Sequence, residues 1–539
     1  MNILFLSAEV APYVSVGGLS QVMYFLPNAL QKLGHNVRIF TANYGPMGKT
    51  APGNTAWKLQ QEIKSIHVPI ENTEVLAPYL ECGISSFEKG KHNPHTYFLE
   101  NNEYFKMREN VFGYSDDHVR FALLSKGCLE WLVELNKKYK LKNKTATKDE
   151  WWPDIIHCND WHTGYFVELA RTDSRYKDIL KKIPIIFTVH NFSYQGNYDF
   201  RYINKEEKDK GKVPLESLTS EKLQTQNALF RGILYADALN TVSPTHAVEV
   251  LTPEYDAGLG DILYAARGKL IGILNGLDNK EFNPSTDPII KNNYNAKIFV
   301  KAREGNKKDL QKEFFLPEDT SCPLLAISGR LAQQKGFDIL LPMLDHLLAQ
   351  RPDVQVIVLG SGDNRYYERL MEIKKNFPKQ IGLHMRADFR LPRKLFAGAD
   401  IVLIPSIFEP GGIVALEALR YGAVPVVRRT GGLNDIITDF NPNTGKGNGF
   451  SFANKDEWSL YMAIVEALTT YKNTDLWRKL IVNCMLGDSS WEHSAKEYSE
   501  WYRKVIVERR RATGLTPHPA YAAIAEIAAI VPLSDKQPI

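Results

Sequence analysis

The feature that most constrains this chain is the alternation of short β-branched runs with segments of helical periodicity. A run at residues 3–6 leads through a glycine-containing loop into a segment with apolar residues at helical spacing, and a second run follows at 37–40. Strand–helix–strand units of this kind predict an α/β fold with a parallel, doubly wound sheet. Further strand candidates share the same short apolar character: residues 155–157, 185–188 and 239–242.

A change of composition divides the chain into two halves. Residues 284–323 are rich in Lys, Asn, Asp and Glu and carry four prolines. A second strand–helix series begins directly afterwards, at residues 324–327. The sequence therefore predicts two Rossmann-like domains, and because ligands of such sheets lie beyond the carboxyl ends of the strands, we expect their sites to share a cleft.

Composition and charge exclude several classes of protein. The 66 Lys and Arg residues nearly balance 62 Asp and Glu residues, so nothing indicates nucleic acid or a membrane as a partner. The five cysteines are scattered without a C-x-x-C pair, which argues against disulfides and structural zinc and favours a reducing cytoplasm. The longest apolar run, 520–531, is too short for a membrane span, and the first ten residues lack a signal peptide's basic region.

A Gly-Gly-Leu motif occurs once in each half, after a strand and before a helical pattern. The paired glycines are Gly17 and Gly18 in the first half, and Gly431 and Gly432 in the second. Paired glycines let the backbone approach a ligand, and a helix N-terminus offers N–H groups to an anion. The alternative is that each pair is only a tight turn.

Charged residues in the second half also follow strands. Arg330 and Lys335 stand in a loop that opens a helix, where they would meet a phosphate or simply be solvated. Glu409 lies in a Pro-Gly-Gly loop, and Glu417 follows it with seven residues between them. A single Glu on a helix is usually solvated, whereas a Glu in a loop beyond a parallel strand indicates ligand binding.

Three histidines cluster beyond two successive strands of the first half. They are His157, His162 and His190. Because no carboxylate or Cys completes an obvious ligand set, we expect no metal, and hydrogen bonding to a polyhydroxy ligand is the better interpretation. We also expect one of the three to be a satisfied core histidine.

Together these motifs resemble those of bacterial glycogen synthases and plant starch synthases, in the same order and spacing from residue 1 to about residue 501. The motifs are Ser7-Ala8-Glu9, Val16-Gly17-Gly18-Leu19, Asp160-Trp161-His162, Phe187-Thr188-Val189-His190-Asn191, Tyr194-Gln195-Gly196, Thr241-Val242-Ser243-Pro244-Thr245, Leu274-Asn275-Gly276-Leu277-Asp278, the segment 330–336, Phe408-Glu409-Pro410 and Arg428-Arg429-Thr430-Gly431-Gly432-Leu433.

This resemblance implies the GT-B architecture, two Rossmann-like domains facing a central cleft. It implies an acceptor-side domain at 1–283, a nucleotide-sugar-binding domain at 284–487 and a helix at about 488–512 that crosses back to the first domain. Residues 513–539 lie outside the resemblance, and their prolines and Ala-rich run predict a peripheral tail. The activity that the resemblance implies is retaining transfer of glucose from ADP-glucose to the non-reducing-end 4-hydroxyl of an α-1,4-glucan, without a cofactor or metal.

The resemblance also implies roles for single residues. The catalytic group would comprise His162, Arg330, Lys335 and Glu409, with the two cations on the diphosphate and His162 and Glu409 on glucose hydroxyls. Donor binding would further involve Gly17, Gly18, Asn275, Thr430, Gly431, Gly432 and Glu417, the last at the ribose. Further donor or acceptor contacts would come from Asp116, Arg120, Asn191 and Gln195.

Four positions depart from the family pattern. Ser15 replaces a Lys, Gln21 replaces an Asp, Ala387 replaces a base-stacking Tyr for which Phe389 is the candidate substitute, and Gly411 replaces a Cys. These departures leave two alternatives open. One is a related transferase that uses UDP-glucose or another nucleotide sugar on a different acceptor, and the other is a catalytically impaired glucan-binding protein.

Overall fold

The computed structural model describes residues 1–49, 57–69, 79–88, 94–114, 116–142, 151–196, 227–386, 388 and 390–514. Ala387, Phe389 and all but the first two residues of the predicted tail lie outside these ranges.

The chain divides into two compact units. The first unit contains Met1–Thr241, Val250–Ile273 and the residues from Ser494 onward, and the second contains Val242–Glu249 and Leu274–His493. Residues 242–249 and 274–283, which the predicted boundary assigned to the first domain, thus fall in the second unit. For 242–249 the physical reason is hydrogen bonding to residues 430–435, described below.

The first unit is built on a sheet with the strand order β3-β4-β5-β2-β1-β6-β7-β8-β9. In the order of the sheet, every pair from β5 through β2 and β1 to β9 is parallel, as predicted. The pairs β3–β4 and β4–β5 are antiparallel. The exposed residues of β3 alternate only in part with buried ones, which suits an edge with one solvated face. The strands are β1 (Asn2–Leu6), β2 (Asn36–Ala42), β3 (Gln60–Pro69), β4 (Tyr79–Phe87), β5 (His95–Glu100), β6 (Ile155–Asn159), β7 (Ile185–Val189), β8 (Ala238–Thr241) and β9 (Leu270–Gly272).

Helices cover this sheet, and the last of them is tied to it by buried polar contacts. On that helix the Tyr502 hydroxyl lies 2.6 Å from Nδ1 of His157, and the Tyr498 hydroxyl accepts from Asn240 at 2.7 Å. His157 is fully buried and is therefore the core histidine that the sequence predicted. The helices of this unit are Gly18–Lys32, Asp117–Lys142, Gly164–Thr172, Ser174–Leu180, Ala228–Tyr235, Gly260–Ala266 and Trp491–Ala512, the last from Ser494 onward.

The second unit has a parallel sheet with the strand order β12-β11-β10-β13-β14-β15. Its strands are β10 (Leu324–Ser328), β11 (Gln355–Leu359), β12 (Ile381–His384), β13 (Ile401–Ile404), β14 (Val424–Arg428) and β15 (Phe450–Phe452). Its helices are Pro244–Glu249, Phe299–Glu313, Phe337–Gln350, Asn364–Asn376, Leu391–Gly398, Ile413–Arg420, Gly431–Ile436, Glu457–Tyr471 and Thr474–Leu486.

Each sheet has a point where the strand order reverses direction. In the first unit this point lies between β1 and β6, and in the second it lies between β10 and β13. Ligands of open α/β sheets bind beyond the carboxyl ends of the strands at such a point. The loops after these four strands are therefore where a site is expected. No helix in the described part of the chain is long and apolar enough to cross a membrane.

Candidate functional site

A lysine–glutamate pair spans the reversal point of the second unit. Lys335 stands in the loop after β10 and Glu409 in the loop after β13, with Nζ and Oε2 2.5 Å apart. The Ser406 hydroxyl donates to the same carboxylate oxygen at 3.0 Å. Both charged side chains keep some exposure, 20% and 14%. The parallel topology thus brings two predicted catalytic residues, 74 positions apart, into one ion pair.

The two loops that carry this pair pack backbone against backbone. Gly336 has φ +76°, and a Cβ there would lie 1.9 Å from the carbonyl oxygen of Pro405. The amide of Ile407 donates to the carbonyl of Gln334 at 2.8 Å. Glycine is therefore required at position 336 for both its backbone conformation and the close approach.

Two arginines at this edge differ in their surroundings. Arg330 is exposed, and within the described part of the chain its Nη2 lies 3.3 Å from the Gln334 side chain as its one hydrogen-bond partner. Arg428, at the end of β14, is buried and donates Nε to the Ser406 carbonyl at 2.8 Å and Nη2 to the Ile407 carbonyl. Arg330 is thus open to an incoming anion, whereas Arg428 holds the loop that carries Glu409. The sequence motif contained Arg428, but nothing in its spacing indicated this role.

The Gly-Gly loop of the second unit is occupied by hydrogen bonds from within the unit. The amide of Gly431 donates to both carboxylate oxygens of Glu249, at 3.1 and 3.0 Å, and the Thr430 hydroxyl donates to one of them at 2.9 Å. The amide of Gly432 donates to the carbonyls of Glu409 and Pro410, at 3.0 Å each. The amide groups of Gly431 and Gly432, predicted to face the donor phosphates, therefore already have acceptors.

Glu249 was not singled out by the sequence, although it lies one turn after the Thr241–Thr245 motif. Burial raises its pKa, but the hydrogen bonds from His246, Gly431 and Thr430 outweigh burial, so the pKa lies below the usual value. Glu249 is therefore an anion at neutral pH.

The remaining donor-binding candidates of the second unit, Asn275 and Glu417, have different surroundings. Asn275 is buried, and its Nδ2 would lie 3.3 Å from a Cβ at Gly411, so it packs on the Glu409 loop. Glu417, on helix Ile413–Arg420, has Arg393 and Glu281 as its charged neighbours. Burial raises the pKa of Glu417 to about 7, against the opposing effect of Arg393.

The Gly-Gly loop of the first unit also encloses a carboxylate. Glu9, just after β1, is 3% exposed and accepts from the amides of Val16 and Gly17 at 2.7 and 3.0 Å. Burial raises its pKa, the two amides oppose this, and the nearby Asp160 raises it further. A Cβ at Gly18, in contrast, would meet no described atom within 4 Å outside its own helix backbone and chain neighbours. The backbone at Gly18 is therefore open.

Ser15, where the family pattern has Lys, takes part in the hydrogen bonds of this loop. Its hydroxyl lies 2.7 Å from the Ser20 hydroxyl, which in turn donates to the Gly17 carbonyl at 2.7 Å. At this position the loop has a hydroxyl pair instead of a cation.

His162 sits in an aromatic pocket after β6. Its ring centroid lies 4.8 Å from that of Phe112, 4.6 Å from Phe121 and 4.2 Å from Trp161. Burial, with smaller contributions from Arg120 and His190, lowers its pKa to about 3. The imidazole is therefore neutral at physiological pH. Within the described residues its buried Nδ1 has no hydrogen-bond partner.

Asp160, beside His162, connects the loops that follow β6 and β7. Its Oδ1 accepts from the His190 amide at 2.7 Å, while the His190 ring lies 3.1 Å from Oδ1 of Asn159. Burial raises the pKa of Asp160 to about 7, against the opposing amides of His190 and Asn191. Asp160 has φ +56°, uncommon for a residue other than glycine, so this carboxylate is held at a cost of backbone strain.

Arg120 is fully buried inside the first unit. Its Nε donates to the Tyr104 carbonyl at 2.7 Å, and its Nη1 lies 2.5 Å from Asp117. The neighbouring Asp116 is paired with Arg108 at 2.9 Å and is also buried. These two predicted site residues therefore shape the loop before helix Asp117–Lys142.

Asn191 and Gln195 both hold the loop after β7. Asn191 Oδ1 accepts from the Ser193 amide at 2.9 Å. The Gln195 side chain donates to the Ala257 carbonyl at 2.7 Å and accepts from Asn227 at 2.6 Å. The side-chain groups of Gln195 are thus engaged within the unit.

Among the described residues, no group of three or more His, Cys, Asp or Glu side chains is placed to hold a metal ion.

One α/β unit with a mixed, mostly parallel sheet and one with a parallel sheet, each with charged loops at its reversal point, give the chain the fold class of the GT-B glycosyltransferases. Residues 2–265 match the family model "Starch synthase catalytic domain", and residues 308–479 match "Glycosyl transferases group 1". The chain is 35% identical to a glycogen synthase of Clostridium beijerinckii over 510 residues, covering 94% of this chain and 99% of that one. It is 33% identical to a glycogen synthase of Geobacillus stearothermophilus, covering 94% and 98%.

Solved structures agree with these matches. The catalytic domain of starch synthase IV from Arabidopsis thaliana, bound to ADP and acarbose, superposes with a TM-score of 0.74 at 29% identity, covering 94% of this chain and 99% of that one. A sucrose-phosphate synthase from Thermosynechococcus elongatus shares the fold, with a TM-score of 0.54 at 17% identity and coverage of 94% and 99%. The chain belongs to the glycogen synthase and starch synthase family. It is a glucosyltransferase that elongates a glucan from a nucleotide-sugar donor.

Proposed function

We propose that this enzyme transfers glucose from ADP-glucose to the 4-hydroxyl at the non-reducing end of an α-1,4-glucan, with retention of configuration. The observation that carries the proposal is the Lys335–Glu409 pair at the reversal point, with the exposed Arg330 in the same loop as Lys335. The starch synthase IV structure, which aligns over most of this chain, was solved with ADP.

The proposed roles follow from the surroundings of each side chain. Arg330 and Lys335 bind the donor diphosphate and stabilise the negative charge that grows on it as the glucosyl bond breaks. Glu409, held by Ser406 and Lys335, accepts hydrogen bonds from glucose hydroxyls. His162, a neutral imidazole, contacts the glucosyl group through a ring nitrogen.

The transfer step we propose is a front-face displacement. The acceptor oxygen forms a bond to the anomeric carbon on the face from which the diphosphate leaves, and the bond from that carbon to the phosphate oxygen breaks. The proton of the acceptor hydroxyl moves to the leaving phosphate oxygen. As the old bond breaks, the glucosyl group gains positive, oxocarbenium-like charge. The anionic leaving phosphate stabilises this charge until the new bond forms.

The donor is tested by measuring incorporation of labelled glucose into glycogen from ADP-, UDP- and GDP-glucose at equal concentrations. We expect ADP-glucose to be used at least about tenfold faster than the other two, a difference of roughly 1.4 kcal/mol. Transfer from UDP-glucose without transfer from ADP-glucose would contradict the proposal. One observation favours this second donor: the cation of the family pattern is replaced by Ser15, bound to Ser20.

Enzyme and binding protein are separated by Glu409→Ala, with glycogen affinity and glucosyl transfer measured independently. Loss of the carboxylate should lower kcat about 10²–10³-fold while glycogen binding persists. A wild-type chain that binds glycogen and transfers glucose from none of the three donors would instead identify a glucan-binding protein.

The five buried cysteines with free thiols suit the reducing cytoplasm that we propose for this activity.

A further inference from the structure

The carboxylate of Glu249 lies where the sequence predicted a phosphate. Its two oxygens accept from the single amide of Gly431, and one of them also accepts from the Thr430 hydroxyl, at 2.9–3.1 Å. With 15% exposure and a pKa held below the usual value, it is a half-buried anion that His246 contacts from its own helix and to which the Thr430–Gly432 loop donates hydrogen bonds.

That loop is in direct backbone contact with Glu409. The amide of Gly432 donates to the Glu409 carbonyl at 3.0 Å. A Cβ on Gly431 would lie 2.3 Å from the same carbonyl oxygen, and Gly431 has φ +44°. Residues 431 and 432 therefore restrain the Glu409 backbone, in addition to Arg428, which holds the same loop at Ser406 and Ile407.

These contacts form one continuous path from Glu249 to the ion pair. The Glu249 carboxylate fixes Gly431, Gly431 and Gly432 fix the Glu409 backbone, and the Glu409 side chain meets Lys335 at 2.5 Å. The path runs within the second unit, because helix Pro244–Glu249 is part of that unit.

We propose that Glu249 is a positioning residue for glucosyl transfer, which acts by holding the Thr430–Gly432 loop against the backbone of Glu409. This inference rests on the proposed role of Glu409. It assigns the Gly-Gly amides to alignment of a catalytic side chain and leaves the charge of the donor diphosphate to Arg330 and Lys335. A catalytic group displaced by about 1 Å loses rate by roughly 10²-fold, so a loosened loop should affect turnover more than donor binding.

The test compares Glu249→Ala and Glu249→Gln with a matched control on the same helix. Thr245, one turn before Glu249 and equally half-buried, donates its hydroxyl to Asp435 at 2.7 Å. Thr245→Val removes a second anchor of helix Pro244–Glu249 while the Glu249 hydrogen bonds stay possible. The variants are assayed with whichever nucleotide-glucose the wild-type enzyme uses fastest, and ADP affinity and thermal stability are measured in parallel.

We expect Glu249→Ala to lower kcat about 100-fold with ADP affinity changed less than about threefold. Glu249→Gln, which keeps one acceptor oxygen, should lower kcat about tenfold, and Thr245→Val should stay within about threefold of wild type. Equal losses of kcat in Glu249→Ala and Thr245→Val would overturn the proposal, because helix anchoring alone would then explain them. Wild-type kcat in Glu249→Ala, or tighter ADP binding at unchanged kcat, would also overturn it.

These outcomes are separate from failure of the proposed donor. If the wild type does not use ADP-glucose, the proposed function fails, yet the variants still report on Glu249 with the donor that is used. An active wild type with an equally active Glu249→Ala variant contradicts the positioning role alone.

Discussion

The two Gly-Gly-Leu loops share a sequence motif, and in each a glutamate from elsewhere in the same unit accepts hydrogen bonds from the loop amides. The loops differ in how much space surrounds their glycines. In the first unit Glu9 binds the amides of Val16 and Gly17, and the next residue, Gly18, has open space around its Cα. In the second unit Glu249 binds the loop, and both Gly431 and Gly432 press against the backbone of residues 409–411. The same motif is thus open in one unit and closed in the other.

The two glutamates also differ electrostatically. Burial and the neighbouring Asp160 raise the pKa of Glu9. Hydrogen bonds from His246, Gly431 and Thr430, in contrast, lower the pKa of Glu249. A glycine pair is therefore insufficient to identify a phosphate site, because neighbouring carboxylates decide which amides remain available.

The largest expected effect comes from filling the closed loop. Gly431→Ala places a Cβ 2.3 Å from the Glu409 carbonyl oxygen at a φ of +44°. We expect the free energy of unfolding of the second unit to fall by about 3 kcal/mol or more, since both strain and overlap act on rigid backbone. Urea unfolding measures this, with Gly18→Ala as the matched control. Equal stability of the two variants would remove the distinction between open and closed loops.

A closed loop leaves the donor charge to side chains, so removing a cation should have the next largest effect. Lys335→Ala is expected to lower kcat by about 10²–10³-fold, because an electrostatic contact to the leaving diphosphate is lost. The matched control is Lys394→Ala, which breaks another lysine–glutamate pair of the second unit, with Glu313 at 2.8 Å. Steady-state kinetics showing the same small change in both variants would mean that Lys335 is only structural.

The open loop is tested by the smaller change Gly18→Ala. Because the new methyl group would meet none of the described atoms beyond its own helix and chain neighbours within 4 Å, stability should be unchanged or slightly higher. If the donor approaches this backbone, kcat/KM should fall by about tenfold, roughly 1.4 kcal/mol. Unchanged kcat/KM would show that the open space at Gly18 is not used by the donor.

The smallest expected effect concerns the carboxylate next to Glu9. The pKa of Asp160 is about 7 in the folded protein against 3.8 in the unfolded chain, so the folded state keeps a proton that the unfolded state has lost. Stability from this group is therefore full below about pH 4 and decreases as the pH rises to 7. The asparagine of the Asp160→Asn variant cannot ionise. Between pH 5 and 7.5 the free energy of unfolding of wild type should therefore decrease by about 2 kcal/mol more than that of the variant. Identical pH dependence of the two proteins in urea unfolding would refute the raised pKa.

Much of this organisation could be predicted from sequence because it follows from local patterns. The two strand–helix series and the parallel strands were predicted correctly, and Lys335 and Glu409 were placed in loops after strands, although their ion pair was not predicted. The antiparallel β3–β4–β5 edge was missed, since its polar residues gave no clear strand signal.

The contacts that occupy the loops could not be predicted in this way. Glu249 is 182 residues from Gly431 and ends a six-residue helix, so no periodicity links the two. The burial of Arg120 could not be predicted either, since it depends on hydrogen bonds to the carbonyls of Tyr104 and Val111, which only the folded loop brings to it.

The central claim, retaining glucosyl transfer from ADP-glucose to a glucan, is tested most directly by following ADP-glucose and maltotetraose with the enzyme by ¹H NMR. The account predicts one ADP released for each new glucosyl unit and an α-1,4-linked maltopentaose as the first product. A β-linked product, or release of free glucose and ADP without a longer oligosaccharide, would contradict it.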